Sequence, residues 1–258
     1  MQSGIGVGKW ATAARTVPIV IWLLTLAASI AAASGKDDKT AAQMVDSGSF
    51  GVFMNGRRVA TETFSIHQNN GGSSVVSEFK SEAGVDKADQ TSDWQMAANS
   101  ELRKYEWKEI SPGQSQAAVV PNQDFLLERY RNSPQDKELE KPFLIPASSS
   151  VLDDYFFVQR EVLAWKYLAT ACKHDKGALQ CPLKQAVPFG ALNPHARSAV
   201  SVTLEFAGRE KVTIRGTDQE LNRLDLKSES ANWTLWMDDQ FKLQRILIVS
   251  DNTEVLRD

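Results

Sequence analysis

The stretch Ser148–Cys181, SSSVLDDYFFVQREVLAWKYLATACKHDKGALQC, decides how this chain is read. It is the one long helical pattern after the N-terminal region, and it ends in the chain's only two cysteines. Val151, Tyr155, Val158, Val162, Trp165 and Ala169 recur at helical spacing, and Leu152, Phe156, Leu163 and Tyr167 widen that stripe. Gln159, Arg160, Glu161 and Lys166 occupy the remaining sector. Ser150 with Asp153 three residues on resembles a capping box, with Asp in place of Glu or Gln. Asp153 and Asp154 suit the positive end of a helix dipole. The spacing predicts a helix over about 150–171, roughly 33 Å long at 1.5 Å per residue. Its apolar face is broad enough to pack inside the curl of a sheet.

Working outward, almost everything on either side reads as short strands. Asn55-Gly56 between GVFM and RRVATETFSIH is a strong hairpin signal. Alternation puts Ala60, Glu62, Phe64 and Ile66 on one face of the returning strand. Asn69-Asn70-Gly71-Gly72 turns into a third strand, SVVSEFKSE. Further on, Tyr105 and Trp107 share a face in LRKYEWKEI, with charged neighbours opposite. After Cys181, VSVTLEF places Val200, Val202, Leu204 and Phe206 on the core side, and EKVTIRG returns with Val212 and Ile214 inward. ANWTLWMDD and FKLQRILIVS form a hairpin, and RILIV is apolar on both faces, as in a strand covered on both sides.

The N-terminus carries an export pattern. Lys9 and Arg15 precede the apolar run Val17–Ala33, and Ala31 and Ala33 fit a small-x-small cleavage site ahead of SGKDDK. The run falls short of the ~20 strongly apolar residues of a membrane span. The expectation is a signal peptide over 1–33 cleaved after Ala33, with an uncleaved membrane anchor as the alternative, a flexible lead-in over 34–46, and a single β-rich domain over 47–258. No membrane span would remain after cleavage. Removal of Lys9 and Arg15 makes a chain of net charge −3 more acidic still. With no basic block, nucleic acid is excluded as a partner. Export also makes a local disulfide between Cys172 and Cys181 the expected state, stabilising by about 3 kcal/mol in the chain-entropy model. The alternative is a metal site of Cys172, His174, Asp175 and Cys181, whose spacing fits no zinc pattern.

Motifs that carry chemistry are sparse. The chain has no G-x-S-x-G, no phosphate-binding glycine loop and no H-E-x-x-H. Ser77-Glu78-Phe79-Lys80 matches S-x-x-K but falls in a strand pattern. His67, His174 and His195 lie in a strand, the cysteine loop and a Pro-containing loop. Asp153 with Glu161 is a conceivable acid–base pair, though acids at a helix start are usually caps and solubilising charges. Asn232-Trp233-Thr234 is formally a glycosylation sequon inside a strand pattern. No catalytic residue, cofactor or metal is assigned. What remains is aromatic: Trp94, Tyr105, Trp107, Tyr155, Phe156, Trp165, Trp233 and Trp236 either line an apolar ligand cavity or fill the core.

VLDDYFFVQREVLAWKYL, QAVPF and ANWTLWMDDQFKLQRILIVSDNTEVLRD, with GVFMNGRRVATETF before them, resemble a group of exported bacterial proteins of unknown function. That group belongs with spiral β-roll domains, whose relatives include proposed glycolipid-binding domains and periplasmic lipoprotein carriers. The resemblance implies a mainly β (α+β) fold: a strongly curled antiparallel sheet, half-barrel-like, packed on one long helix. The expectation is an exported, non-catalytic binding protein, periplasmic or secreted, with an apolar or lipid-like ligand. An envelope assembly factor with a protein partner, and a hydrolase with dispersed catalytic residues, are the alternatives.

Overall fold

Alternating apolar and polar residues make most of this chain strand. The computed structural model describes residues 42–82, 87–175, 178–229 and 231–258. These fall in one compact unit, Thr40–Asp258. The expected signal peptide, its cleavage at Ala33 and most of the lead-in lie outside the described residues.

The first run of strands is β1 (Gln43–Met54), β2 (Arg57–Asn69), β3 (Gly72–Ser81), β4 (Asp89–Ala97), β5 (Leu102–Ser111), β6 (Gln116–Asn122), β7 (Phe125–Arg131) and β8 (Leu139–Phe143). A short β9 (Ser150–Val151) precedes the helix α1 (Val158–Ala171), and β10 (Lys173–Asp175) with β11 (Ala178–Gln180) forms a small hairpin. The second run is β12 (Val187–Asn193), β13 (Ser198–Ile214), β14 (Thr217–Ser228), β15 (Asn232–Met237), β16 (Leu243–Ile248) and β17 (Thr253–Arg257).

Fifteen of these strands form one sheet in the order 8-7-6-5-4-3-2-1-17-16-15-14-13-12-9. Two meanders therefore meet where β1 pairs with β17, Val52 opposite Val255. All neighbours are antiparallel except β9 with β12. The order is open, with β8 and β9 at its ends, so the mainly β fold holds while the expected strongly curled, half-barrel-like sheet does not. The segment carrying α1 links one end of the sheet to the other. The Asn55-Gly56 turn has both residues at positive φ, 50° and 74°, as a two-residue hairpin requires.

Strands of both meanders and α1 share one core, including Phe50, Phe64, Trp94, Leu204, Leu235, Ile246 and Val255 with Val158, Leu163 and Tyr167. A second, smaller cluster of Val212, Ile214, Leu221, Trp236 and Leu256 is separate from it. The two clusters explain a misreading of β13. Val202 and Leu204 are buried in the main core, but Val212 and Ile214 belong to the second cluster, and Val200 is exposed. For Val212 and Ile214 the cause is a register shift against β14 between Phe206 and Gly208, where Gly208 has φ +119°. One extra residue moves every later side chain to the opposite face. Leu247 packs on the second cluster while Ile246 and Ile248 enter the first, so β16 is covered on both sides as expected.

Three features at the helix and lead-in correct or extend the expectation. The helix starts at Val158, not near 150. Ser150 pairs as strand with Ala191 instead of capping, and the Asp153 side chain accepts the Tyr155 N–H in a local turn. Second, the polar sector of Gln159, Arg160 and Glu161 is itself buried. Third, β1 begins at Gln43, four residues inside the expected lead-in, because Asp46 is buried against Arg257 (2.7 Å) and Lys242 (2.8 Å). The disulfide Cys172–Cys181 is formed, directly after the helix, and closes the β10–β11 hairpin.

Candidate functional site

The helix that organises the fold is started by a residue far away in sequence. Phe157 is its N-cap and supplies no capping side chain. Glu62, on the inward face of β2, accepts the backbone N–H of Phe157 at 2.7 Å and of Val158 at 3.2 Å. Ser77 of β3 donates its hydroxyl to the same carboxylate at 2.5 Å. This satisfies donors that every helix N-terminus leaves open. Burial nevertheless pushes the Glu62 carboxyl up to about 7, against the pull of these hydrogen bonds and of Arg160. The S-x-x-K match at Ser77 is thus accounted for by a structural hydroxyl.

Arg160 is enclosed too. It donates to the carbonyls of Asp153 and Phe156 and lies over the Trp233 ring at 4.3 Å. Glu161 faces Arg257 at 3.5 Å, and burial and the nearby Asp46 raise its carboxyl well above the usual range. Asp153 and Glu161 therefore serve different partners and do not form an acid–base pair.

Asp153 instead anchors a polar cluster. It accepts the Tyr105 hydroxyl at 2.7 Å, and His195 Nδ1 lies 2.7 Å from it. The other imidazole nitrogen meets Gln90 Oε1 at 2.7 Å, and the ring stacks on Trp107 with centroids 3.8 Å apart. Both imidazole nitrogens are thus engaged, which leaves neither to activate a hydroxyl. The turn that carries His195 also holds the two meanders together: Lys141 of β8 donates to the Arg197 carbonyl, and Arg197 covers the Tyr130 ring of β7 at 3.9 Å. Nearby on β7, burial pushes the Glu128 carboxyl up to about 7, opposed by Arg197 and Lys141.

Beside this polar interior lies a cavity of about 460 Å³ between α1 and strands β2–β4. That is within the ~300–1,000 Å³ of small-molecule sites. Ile66, Trp94 and Met96 are its buried apolar wall, and Val162, Trp165 and Ala169 of α1 face it from the helix. The Trp165 indole N–H is fixed by the Phe241 carbonyl at 2.6 Å, whereas that of Trp94 is buried and has no acceptor among the described residues. Gln68, Ser73, Asn99, Ser100, Lys166 and Thr170 add polar groups. Of the eight aromatic candidates, the structure brings only Trp94 and Trp165 to this cavity. Tyr105, Trp107 and Phe156 are core, Tyr155 and Trp233 pack against it half-buried, and Trp236 sits in the second cluster. The reading missed Ile66, Met96 and Lys166. Ile66 was already on the inward face of β2 by alternation, but nothing local marks Lys166.

Neither a family profile nor a curated protein matches the chain. Among solved structures it is similar to a beta-barrel-like protein of a domain of unknown function, DUF1849, from Brucella abortus. The two share 7% identity with a TM-score of 0.52, covering 82% of this chain and 94% of that one. The likeness is one of fold. Among the described residues no helix is long and apolar enough to cross a membrane.

Proposed function

We propose that this protein is an exported, non-catalytic binding protein that holds an apolar or lipid-like ligand between its helix and sheet. The observation that carries the reading is the placement of one helical row. Val162, Trp165 and Ala169 have the spacing of a core-packing stripe, yet they line a cavity while Arg160 and Glu161 of the same helix are buried. Apolar side chains kept at a cavity wall suit a guest that buries them. Supporting this are the export pattern at the N-terminus, the disulfide, and the resemblance to spiral β-roll domains. Glycolipid-binding domains and lipoprotein carriers are the relatives whose ligand class fits best. The site of action would be the periplasm or the medium.

The test is binding of the neutral, apolar dye N-phenyl-1-naphthylamine, together with native mass spectrometry of gently purified protein. Dye fluorescence should rise on binding and be lost in Ala169→Trp, which fills the cavity. A protein that carries no adduct and binds no dye would refute the reading. A second reading, an envelope factor acting through a protein partner, is favoured by one observation. The end strand β8 exposes Leu139, and Leu144 just beyond it is 91% exposed. A partner adding a strand there would be lost in Leu139→Lys without change in dye binding.

A further inference from the structure

The cavity is apolar along one wall, but its polar groups are not balanced in charge. Among the described residues that line it, none is Asp or Glu, and one is cationic, Lys166. The Lys166 ammonium hydrogen-bonds a neutral carbonyl, that of Ser148, and burial pushes it below its ordinary value. Glu101 acts on it only through space. A half-buried ammonium without a bonded counter-charge retains most of its capacity to hold an anion, and in a poorly solvated site the interaction is stronger than in water. An ammonium only donates, so it fits a group that only accepts.

Resting on the binding reading above, we infer that the cavity selects an anionic amphiphile: an alkyl or acyl chain against Ile66, Trp94, Met96 and Trp165, with a terminal carboxylate or phosphate held by Lys166. Lys166 is then a specificity residue. A neutral chain of equal length gains the same apolar burial but leaves the ammonium without its partner.

The experiment is displacement of N-phenyl-1-naphthylamine by dodecanoate, dodecyl phosphate and dodecan-1-ol at pH 8, with wild type, Lys166→Met and Lys166→Arg. At least one anion should displace the dye at a concentration tenfold or more below that of the alcohol. Lys166→Met should erase this difference while still binding the dye, and Lys166→Arg should restore most of it. Which anion is the stronger competitor distinguishes a fatty-acid-like from a phosphate-bearing ligand. If anions and alcohol displace the dye equally from wild type, or Lys166→Met leaves the preference intact, the inference falls and the binding reading stands. If wild type does not bind the dye at all, both fall together.

Discussion

Replacing Glu62 by Gln should make the protein more stable than wild type at alkaline pH, although Glu62 caps the helix. Two effects compete at this residue. The helix N-terminus and three hydrogen bonds favour the carboxylate, while complete burial disfavours it. Burial wins, since the folded-state value is about 7 against an ordinary 4.5. A raised carboxyl contributes stability that is fully present below the unfolded value and is lost as pH rises through the folded one. Over pH 5 to 8 that loss amounts to about 2.5 kcal/mol at 1.36 kcal/mol per pH unit of difference. Gln keeps an oxygen to accept the Phe157 and Val158 N–H groups, and its amide can donate to the Ser77 hydroxyl. The variant has no charge to lose or gain. Urea unfolding at pH 5, 6, 7 and 8 measures the difference between the two proteins, which cancels the other titrating groups. That difference should move in favour of Glu62→Gln by about 2.5 kcal/mol across the range. A flat difference, or one that moves toward wild type as pH rises, would show that the helix terminus outweighs burial and would refute the argument.

Other perturbations follow from the same geometry. Arg257→Met leaves Glu161 buried without its cation and Asp46 with Lys242 alone, and should cost about 3–5 kcal/mol in chemical denaturation. His195→Ala strips partners from Asp153 and Gln90, with an expected loss of about 1–3 kcal/mol. A loss below the error of the unfolding curve would mean that this turn does not hold the meanders together. Reduction of Cys172–Cys181 should lower stability by about 3 kcal/mol, with raised amide exchange in the last turn of the helix beside it. Unchanged exchange there would show that the crosslink does not secure the helix exit.

Much of the fold was legible because it is local. Asn55-Gly56 names its own turn, and the Ala60–Ile66 alternation sets which face of β2 is inward. The failures share a cause: their determinants lie far off in the chain. The helix start was set too early because its cap, Glu62, is 95 residues from Phe157, so the Ser150–Asp153 pattern looked like the better candidate. The burial of Arg160 and Glu161 was not foreseen, because helical periodicity marks them only as the polar sector of the helix. Here Trp233 and Arg257 supply partners that make burial tolerable. In β13 an unbroken alternation concealed a bulge, since Val212 and Ile214 are just as apolar on the wrong face. The site suffered most. A cavity wall and a packed core draw on the same residue types, so Trp94 and Trp165 could not be told from Tyr105 and Trp107 before the strands were placed.

The pairing of β1 with β17 has a consequence for how this molecule is made. Synthesis runs from the N-terminus, so β1 exists long before its partner. Until residues 253–257 arrive, the backbone donors and acceptors along Phe50–Met54 that β17 will take remain without a strand beside them. The first meander can assemble one hairpin at a time, and so can the second. The seam between them is a contact across some 200 residues of sequence and must close last. Non-local pairing of this kind slows folding and leaves a strand edge open to wrong partners in the interval. The protein therefore spends its most aggregation-prone period nearly complete, and Arg257, by reaching Asp46, joins the last strand to the first as that period ends.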